Sequence, residues 1–133
     1  MNALPATIRQ VISSGNLSVV EACVEEDCFA LVVLDTPQTA AYLQAGQPVR
    51  LLFNENEVLL AKNWAGDIST PNRLGCRVTA MQQGDLFCRV RLQYRGFGVT
   101  SVITGEAAGR LALAPGDEVT AFINTSEITL SPV

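Results

Sequence analysis

The residues on which most enzyme chemistry depends are scarce in this chain. Its 133 residues include no histidine, so a Ser/His/Asp triad cannot form. The ten glycines do not make up a loop of the kind that cradles a phosphate group. We therefore expect a protein that binds a ligand without catalysing a reaction.

Four cysteines, at positions 23, 28, 76 and 88, are the remaining candidates for metal chemistry. None of them is spaced as C-x-x-C, so a structural zinc site would need four thiolates from irregular positions. We expect no metal site. Cys88 lies in an alternating apolar pattern, which predicts a buried thiol that behaves as a small hydrophobic residue.

Charge is distributed unevenly along the chain. Residues 1–66 carry three basic and seven acidic residues, a net charge of −4, whereas residues 67–133 carry six arginines and six acidic residues. An anion site is therefore expected in or near the second half. The overall charge of −4 and the 6% aromatic content argue against an OB-type nucleic-acid binder, which needs a basic groove with stacking aromatics.

Composition and targeting signals indicate an ordinary globular protein. The chain is 48% apolar and 17% charged, as is typical of folded domains. No apolar window reaches the roughly 18 residues of a transmembrane helix. The first residues lack the basic region and the apolar core of a signal peptide. We expect a cytoplasmic protein.

The elements that must position a ligand site occur twice. A shift of 70 residues superimposes much of the second half on the first, which predicts two domains, residues 1–66 and residues 67–133. The interface between two similar domains is a common place for a small-ligand site. The matched pairs are Leu4 and Leu74, Ile8 and Val78, Gly46 and Gly116, Val49 and Val119, Asn54 and Asn124, Glu57 and Glu127, Val58 and Ile128, and Leu60 and Leu130.

Apolar alternation and turn residues predict five short strands and one short helix in each half. The helices are expected at Glu106–Leu111, capped by Thr104, and after Thr36-Pro37. The last strand of each half is expected to close its own unit. This pattern predicts an all-β protein of two tandem OB-like five-stranded barrels. The predicted strands are 6–12, 17–24, 29–34, 48–53 and 58–61, then 74–81, 86–94, 97–103, 118–123 and 127–130.

Four segments of the second half resemble the molybdate-binding Mop family, whose modules are also called TOBE domains. The first half resembles it more weakly, through Gly46–Val49 and Leu52–Asn54. The whole chain is therefore similar to a tandem, or di-Mop, module. The four segments are Ile68-Ser69-Thr70-Pro71-Asn72-Arg73-Leu74, Val102-Ile103-Thr104-Gly105-Glu106-Ala107, Leu113-Ala114-Pro115-Gly116-Asp117-Glu118-Val119 and Ala121-Phe122-Ile123-Asn124-Thr125-Ser126-Glu127-Ile128.

This resemblance implies an OB-like fold, oligomerisation, and binding of molybdate or tungstate between modules or between subunits. Such modules occur as molybdenum-storage proteins and as parts of molybdate-transporter ATPases and molybdate-responsive repressors. A homo-oligomer is therefore implied, with an ABC-transporter ATPase domain or a DNA-binding domain as candidate partners on a longer chain. No organic cofactor is implied.

The resemblance also implies a set of oxyanion ligands. A tetrahedral dianion needs convergent hydrogen-bond donors and usually a cation. The ligands implied are Ser69, Asn72, Arg73, Thr104, Asn124, Thr125 and Ser126.

Two cations of the family pattern are replaced in this chain. The family's Ser-Ala-Arg-Asn reads Ser69-Thr70-Pro71-Asn72, and its lysine after the fourth strand is Asn124. The serine of its segment before the helix is Ala107. Arg73 is our candidate for supplying the missing charge.

Each implied ligand also has a structural interpretation. The segment from Ser69 to Arg73 could only satisfy turn hydrogen bonds, and Thr104 could only cap a helix. Asn124 could occupy a tight turn with positive φ. The whole chain could likewise be a regulatory or oligomerisation module that has lost its oxyanion site. The basic strip of Arg89, Arg91 and Arg95 is expected to be a solvated face.

Overall fold

Alternating apolar residues produce long strands that bury one face. In the strand that begins at Arg73, buried and exposed side chains alternate over the first seven residues. The computed structural model describes all of residues 1–133. Its strands are β1 (Asn2–Ser14), β2 (Leu17–Val24), β3 (Asp27–Val33), β4 (Pro48–Phe53), β5 (Leu59–Ala61), β6 (Arg73–Gln83), β7 (Phe87–Tyr94), β8 (Phe97–Thr104), β9 (Glu118–Phe122) and β10 (Thr129–Pro132).

The strands form two antiparallel five-stranded sheets. Their orders are β10-β4-β1-β2-β3 and β5-β9-β6-β7-β8. In each sheet the two edge strands contact each other, β10 with β3 and β5 with β8, so each sheet curls around its own interior. The all-β prediction of two five-stranded units is confirmed.

The two halves exchange their last strands, which the sequence did not predict. β5 belongs to the first half but pairs with β9 of the second, with Leu60 opposite Ala121. β10 belongs to the second half but pairs with β4 of the first, with Leu130 opposite Leu51. The expectation that each last strand closes its own unit is wrong. The division into residues 1–66 and 67–133 stays a prediction.

Short 3-10 turns carry the chain across between the sheets. Glu55–Glu57 precedes β5, and Thr125–Glu127 precedes β10. After the first turn, the buried Val58 is held by the hydroxyl of Ser101, which donates to its carbonyl at 2.8 Å. The chain is therefore already fixed in the opposite barrel before β5 begins.

The helix predicted after Thr36 is absent. A single turn forms there, closed by the Ala40 N–H bonding to the Thr36 carbonyl at 2.8 Å. The Thr39 hydroxyl accepts from the Thr36 N–H and donates to the Asp35 carboxylate. Such side-chain bonds compete with a helical ladder and end it early.

The second-half helix does form, as α1 (Gly105–Arg110), with an ion pair between Glu106 and Arg110 one turn apart. Six residues are too few to cross a bilayer, and no other helix meets the length and hydropathy needed for a membrane span.

Two buried asparagines join the halves by the same bond pattern. The Asn72 amide donates to the Ala30 carbonyl at 2.9 Å and accepts from the Ala30 N–H at 2.8 Å. Asn2 makes the equivalent pair of bonds with Thr100, both at 2.8 Å. Asn2 and Asn72, and Ala30 and Thr100, are each 70 residues apart. The repeat therefore extends to the contacts between the barrels.

Charged residues also link the halves. Arg95, in the β7–β8 turn, donates to Asp27 at 2.9 Å and to Glu25 at 3.3 Å. Arg89 donates to Glu55 at 2.6 Å. Arg89 and Arg95 are therefore partners of first-half carboxylates, and the interpretation of this strip as a merely solvated face is wrong for both residues.

The Asp27 carboxyl accepts hydrogen bonds from two side chains of the second half. It accepts from Arg95 and, at 2.7 Å, from the hydroxyl of the buried Tyr94. The hydrogen bond from Arg95 is the main reason that the pKa of Asp27 lies below its usual value of about 3.8. Burial, and then the hydrogen bond to Asp27, raise the pKa of Tyr94.

We expect Asn72→Ala to destabilise the protein by about 2–4 kcal/mol. It removes two hydrogen bonds and leaves the polar backbone groups of Ala30 without partners. Asn2→Ala should behave alike. Asn56→Ala is the control, because that side chain is exposed, and its effect should stay within about 0.5 kcal/mol. Urea unfolding measures all three. Equal midpoints for Asn72→Ala and Asn56→Ala would contradict the role assigned to the amide.

Asp27→Asn should change how stability depends on pH. Because the folded-state pKa of Asp27 is lowered, its contribution is complete well above pH 3.8 and is lost as pH falls through the folded-state value. The variant should be less stable than the parent by about 1 kcal/mol at pH 7, with the gap closing in acid. Thermal melts between pH 7 and pH 2.5 measure it. Asp85→Asn, which changes an exposed carboxylate in the β6–β7 turn that has no ion-pair partner, should show no such gap.

Candidate functional site

The segment from Ser69 to Arg73 is held firmly against the end of β9. The Thr70 hydroxyl donates to the Ile123 carbonyl at 2.7 Å and accepts from the Asn72 N–H at 3.2 Å. The Ile123 N–H in turn bonds to the Asn72 carbonyl. This segment therefore has a defined shape, although its residues before Arg73 lie outside the strands.

A hollow of about 230 Å³ opens along this segment. Ser69 and Arg73 both line it, together with Trp64 and Asp67 from the preceding linker. Pro71, which stands where the family pattern has arginine, is also in the lining and contributes no donor. Two of the predicted ligands are thus brought together.

Arg73 is the cation of this hollow. Its guanidinium lies 5.4 Å from the centre of the Trp64 ring, and Trp64 packs edge-on against Phe122 at 5.2 Å. The structure contains no carboxylate within ion-pair distance of Arg73, in contrast to Arg89 and Arg95. Its charge is therefore positioned by the tryptophan and not neutralised by a partner.

Asn72 lies apart from the hollow although its sequence neighbours line it. Its side chain is fully buried and its amide is engaged with Ala30 of the first half. What the geometry establishes for Asn72 is a structural contact between the barrels. Its assignment as an oxyanion ligand stays a prediction.

The other predicted ligands do not line this hollow. Thr104 caps α1, with its hydroxyl accepting from the Ala107 N–H at 3.1 Å. Asn124 precedes the second 3-10 turn with φ −67°, so the positive φ expected there is wrong. Ser126 lines a groove beside Val32 and Leu34, at the edge of the first sheet.

No one hollow of the chain is therefore lined by all of the predicted ligands. Ser69 and Arg73 share a hollow in the second barrel, whereas Ser126 lines the groove at β3, and the 3-10 turn that carries Thr125 and Ser126 packs against that strand. The Thr104 side chain has no hydrogen bond to either group.

Two features escaped the sequence analysis. One is Asn2, which the 70-residue shift aligns with Asn72, so the repeat itself held the signal. The other is a disulfide between Cys23 and Cys28. These residues flank a four-residue turn at directly opposed positions of β2 and β3, and recognising the hairpin register would have paired them.

Cys76 and Cys88 are free and buried, as predicted for Cys88. Burial raises the pKa of Cys76 to about 12 and also raises that of Cys88. Neither is a thiolate at neutral pH, so neither offers a ready metal ligand or nucleophile.

Comparison with known proteins gives a consistent result. Residues 68–130 match the TOBE domain family. The molybdenum-pterin-binding protein MopA of Rhodobacter capsulatus is 30% identical over 133 residues, which cover 98% of this chain and 50% of MopA. The molybdenum import ATP-binding protein ModC of Rhizobium etli is 34% identical over 87 residues, which cover 65% of this chain and 24% of ModC. The matched part of this chain thus spans about half the length of MopA and about a quarter of the length of ModC.

Among solved structures, the cytoplasmic molybdate-binding protein ModG, in a crystal form with molybdate bound, superimposes with a TM-score of 0.92. The match covers 99% of this chain and 96% of that one at 26% identity. The likeness therefore extends over both barrels.

Proposed function

We propose that this chain, which belongs to the TOBE (Mop) family as a tandem module, binds molybdate or tungstate as a non-enzymatic component of molybdenum homeostasis, storage or transport regulation. The proposal rests on two repeats, residues 1–66 and 67–133, that exchange their last strands. Relatives that bind molybdate or import molybdenum support the choice of ligand.

The observation that carries the proposal is the pairing of Ser69 with an unneutralised Arg73 in one hollow. The hydroxyl and the guanidinium donate hydrogen bonds, and the guanidinium brings a full positive charge. A dianion with four acceptor oxygens fits such donors. Arg73 shares its hollow with Ser69, which Arg50, another unpaired arginine, does not, and this favours oxyanion binding over the alternative of a lost site.

Ser69 and Arg73 do not surround an anion by themselves. Thr125 and Ser126 do not line their hollow, and the turn that carries them packs against β3. We therefore propose that the site is completed between copies, with the Ser69–Arg73 segment of one chain facing donors of another. This arrangement requires a homo-oligomer. The likeness to ModC makes a transporter ATPase domain a reasonable partner on a longer chain.

Arg73→Gln should weaken molybdate binding by about 10- to 100-fold. A charge-assisted hydrogen bond contributes about 1.5–3 kcal/mol, and about 1.4 kcal/mol corresponds to a factor of ten. Trp64 is the only tryptophan and lines the hollow, so its fluorescence reports binding directly. The titration uses sodium molybdate against sodium chloride at matched ionic strength.

Arg50→Gln is the matched control, because this exposed arginine of β4 has no carboxylate partner and lies in the first sheet. It should bind like the parent. If the parent shows neither a fluorescence response nor a rise in melting temperature with saturating molybdate or tungstate, the proposed function is wrong. If Arg73→Gln binds normally, only the role of Arg73 is wrong.

We expect the protein to self-associate at tens of micromolar. Besides completing the site, association would cover the exposed apolar residues Ile12, Val19 and Val32, which lie opposite one another on neighbouring strands β1, β2 and β3. Light scattering coupled to size-exclusion chromatography gives the mass. A monomer at that concentration, with and without molybdate, would contradict a site shared between copies.

A further inference from the structure

The Cys23–Cys28 bridge closes the turn through which the first barrel holds the second. The two cysteines are directly opposed on β2 and β3, five positions apart in sequence. Between them lie Glu25 and Asp27, the two carboxylates to which Arg95 donates. The bridge therefore lies at the base of an acidic turn that is docked on the other half.

Both cysteines of the bridge border a hollow that opens to solvent. Cys23 and Cys28 are only half-buried, whereas Cys76 and Cys88 are buried. The bridge lines an open hollow of about 460 Å³, and Arg9 of β1 lines it as well. A small thiol can therefore approach this bridge without unfolding the barrel.

A neighbouring charge makes the two sulfurs unequal. The Arg9 Nη1 lies 4.0 Å from the Cys28 Sγ. Arg9 also pairs with the Glu21 carboxylate at 2.6 Å, so it shares its positive charge between that carboxylate and a departing Cys28 thiolate. A thiol of lower pKa is the better leaving group. In thiol–disulfide exchange, Cys28 is therefore the favoured leaving group and Cys23 the favoured point of attack.

A metal ion suits the same cluster less well. The ligand atoms of Glu21, Cys23 and Cys28 lie within 4.8 Å of one another. The Arg9 Nε, however, lies 2.6 Å from the Glu21 carboxylate and occupies it with a positive charge. A cation would be repelled by Arg9, whereas a thiolate is attracted to it.

We propose that Cys23 and Cys28 form a reversible thiol–disulfide site, opened by small thiols through attack at Cys23 and release of Cys28 beside Arg9. The site is independent of the oxyanion hollow, so it stands whether or not the protein binds molybdate. Reduction would free the acidic turn from its covalent base and leave the noncovalent contacts to Arg95 to hold it.

The exchange takes two steps. A thiolate attacks the Cys23 Sγ, a new S–S bond forms, the Cys23–Cys28 bond breaks, and Cys28 leaves with the electron pair as a thiolate. A second thiolate attacks the reagent sulfur of the mixed disulfide and releases Cys23 as a thiolate. Two reagent thiolates thereby become one disulfide, and two electrons reach the protein.

The test uses the full chain and the cationic thiol cysteamine, followed by alkylation with N-ethylmaleimide and peptide mass spectrometry. Reduction should label Cys23 and Cys28 in the folded protein while Cys76 and Cys88 stay unlabelled as internal controls. A reaction quenched early should show the mixed disulfide mainly on Cys23. Oxidised protein should melt about 5–10 °C above reduced protein, and the Cys23→Ser/Cys28→Ser double variant should lose this difference.

Arg9→Gln should slow reduction by about two- to five-fold through its effect on the leaving thiolate. Arg91→Gln, which removes an exposed arginine from the other sheet, should not slow it. The proposal is overturned if the bridge resists cysteamine while the protein stays folded, or if the mixed disulfide forms mainly on Cys28. It is also overturned if Arg9→Gln has no effect, or if the reduced protein retains one zinc ion that blocks alkylation of both cysteines.

Discussion

The architecture depends on two buried amides that pair with the backbone of the opposite barrel. Asn2 with Thr100, and Asn72 with Ala30, each satisfy one donor and one acceptor at once. A buried polar group without partners is costly, so each pair fixes the position of one barrel relative to the other to within a hydrogen bond length. The same relative position places β10 beside β4 and β5 beside β9.

The same scaffold carries different chemistry in its two copies. Arg89 donates to Glu55 across the second barrel, but the equivalent positions of the first barrel are Val19 and Thr125. The ion pair of one copy is therefore absent from the other, where the exposed Val19 takes the place of Arg89. The uneven charge of the sequence contributes to the contact between the halves, since two second-half arginines, Arg89 and Arg95, are paired with first-half carboxylates. Arg73 escapes this pairing, which leaves its charge available to a ligand.

Local patterns in the sequence predicted most of the strands and α1, because alternation and capping act over a few residues. They did not predict the strand exchange, since Leu59–Ala61 reads equally well as the edge of either sheet. The helix prediction after Thr36 was wrong because the Thr39 hydroxyl bonds to backbone and side-chain groups at this turn and so competes with helical hydrogen bonds. For the site, the charge distribution pointed to the second half, and Ser69 and Arg73 do meet there. Only the three-dimensional structure could reveal that the Asn72 side-chain amide is already hydrogen-bonded to the backbone of Ala30.

The exchange of β5 and β10 also says something about the origin of the tandem chain. A single repeat alone would lack the strand that borders β4 or β9, and an exposed edge of that kind pairs readily with another chain. Two separate copies would meet this need by donating strands to each other. The linker between the repeats turns that encounter into an intramolecular one, at an effective concentration in the millimolar range. The tandem chain is, in physical terms, equivalent to a strand-swapped dimer whose two subunits are joined by a linker, so its two halves can carry different side chains.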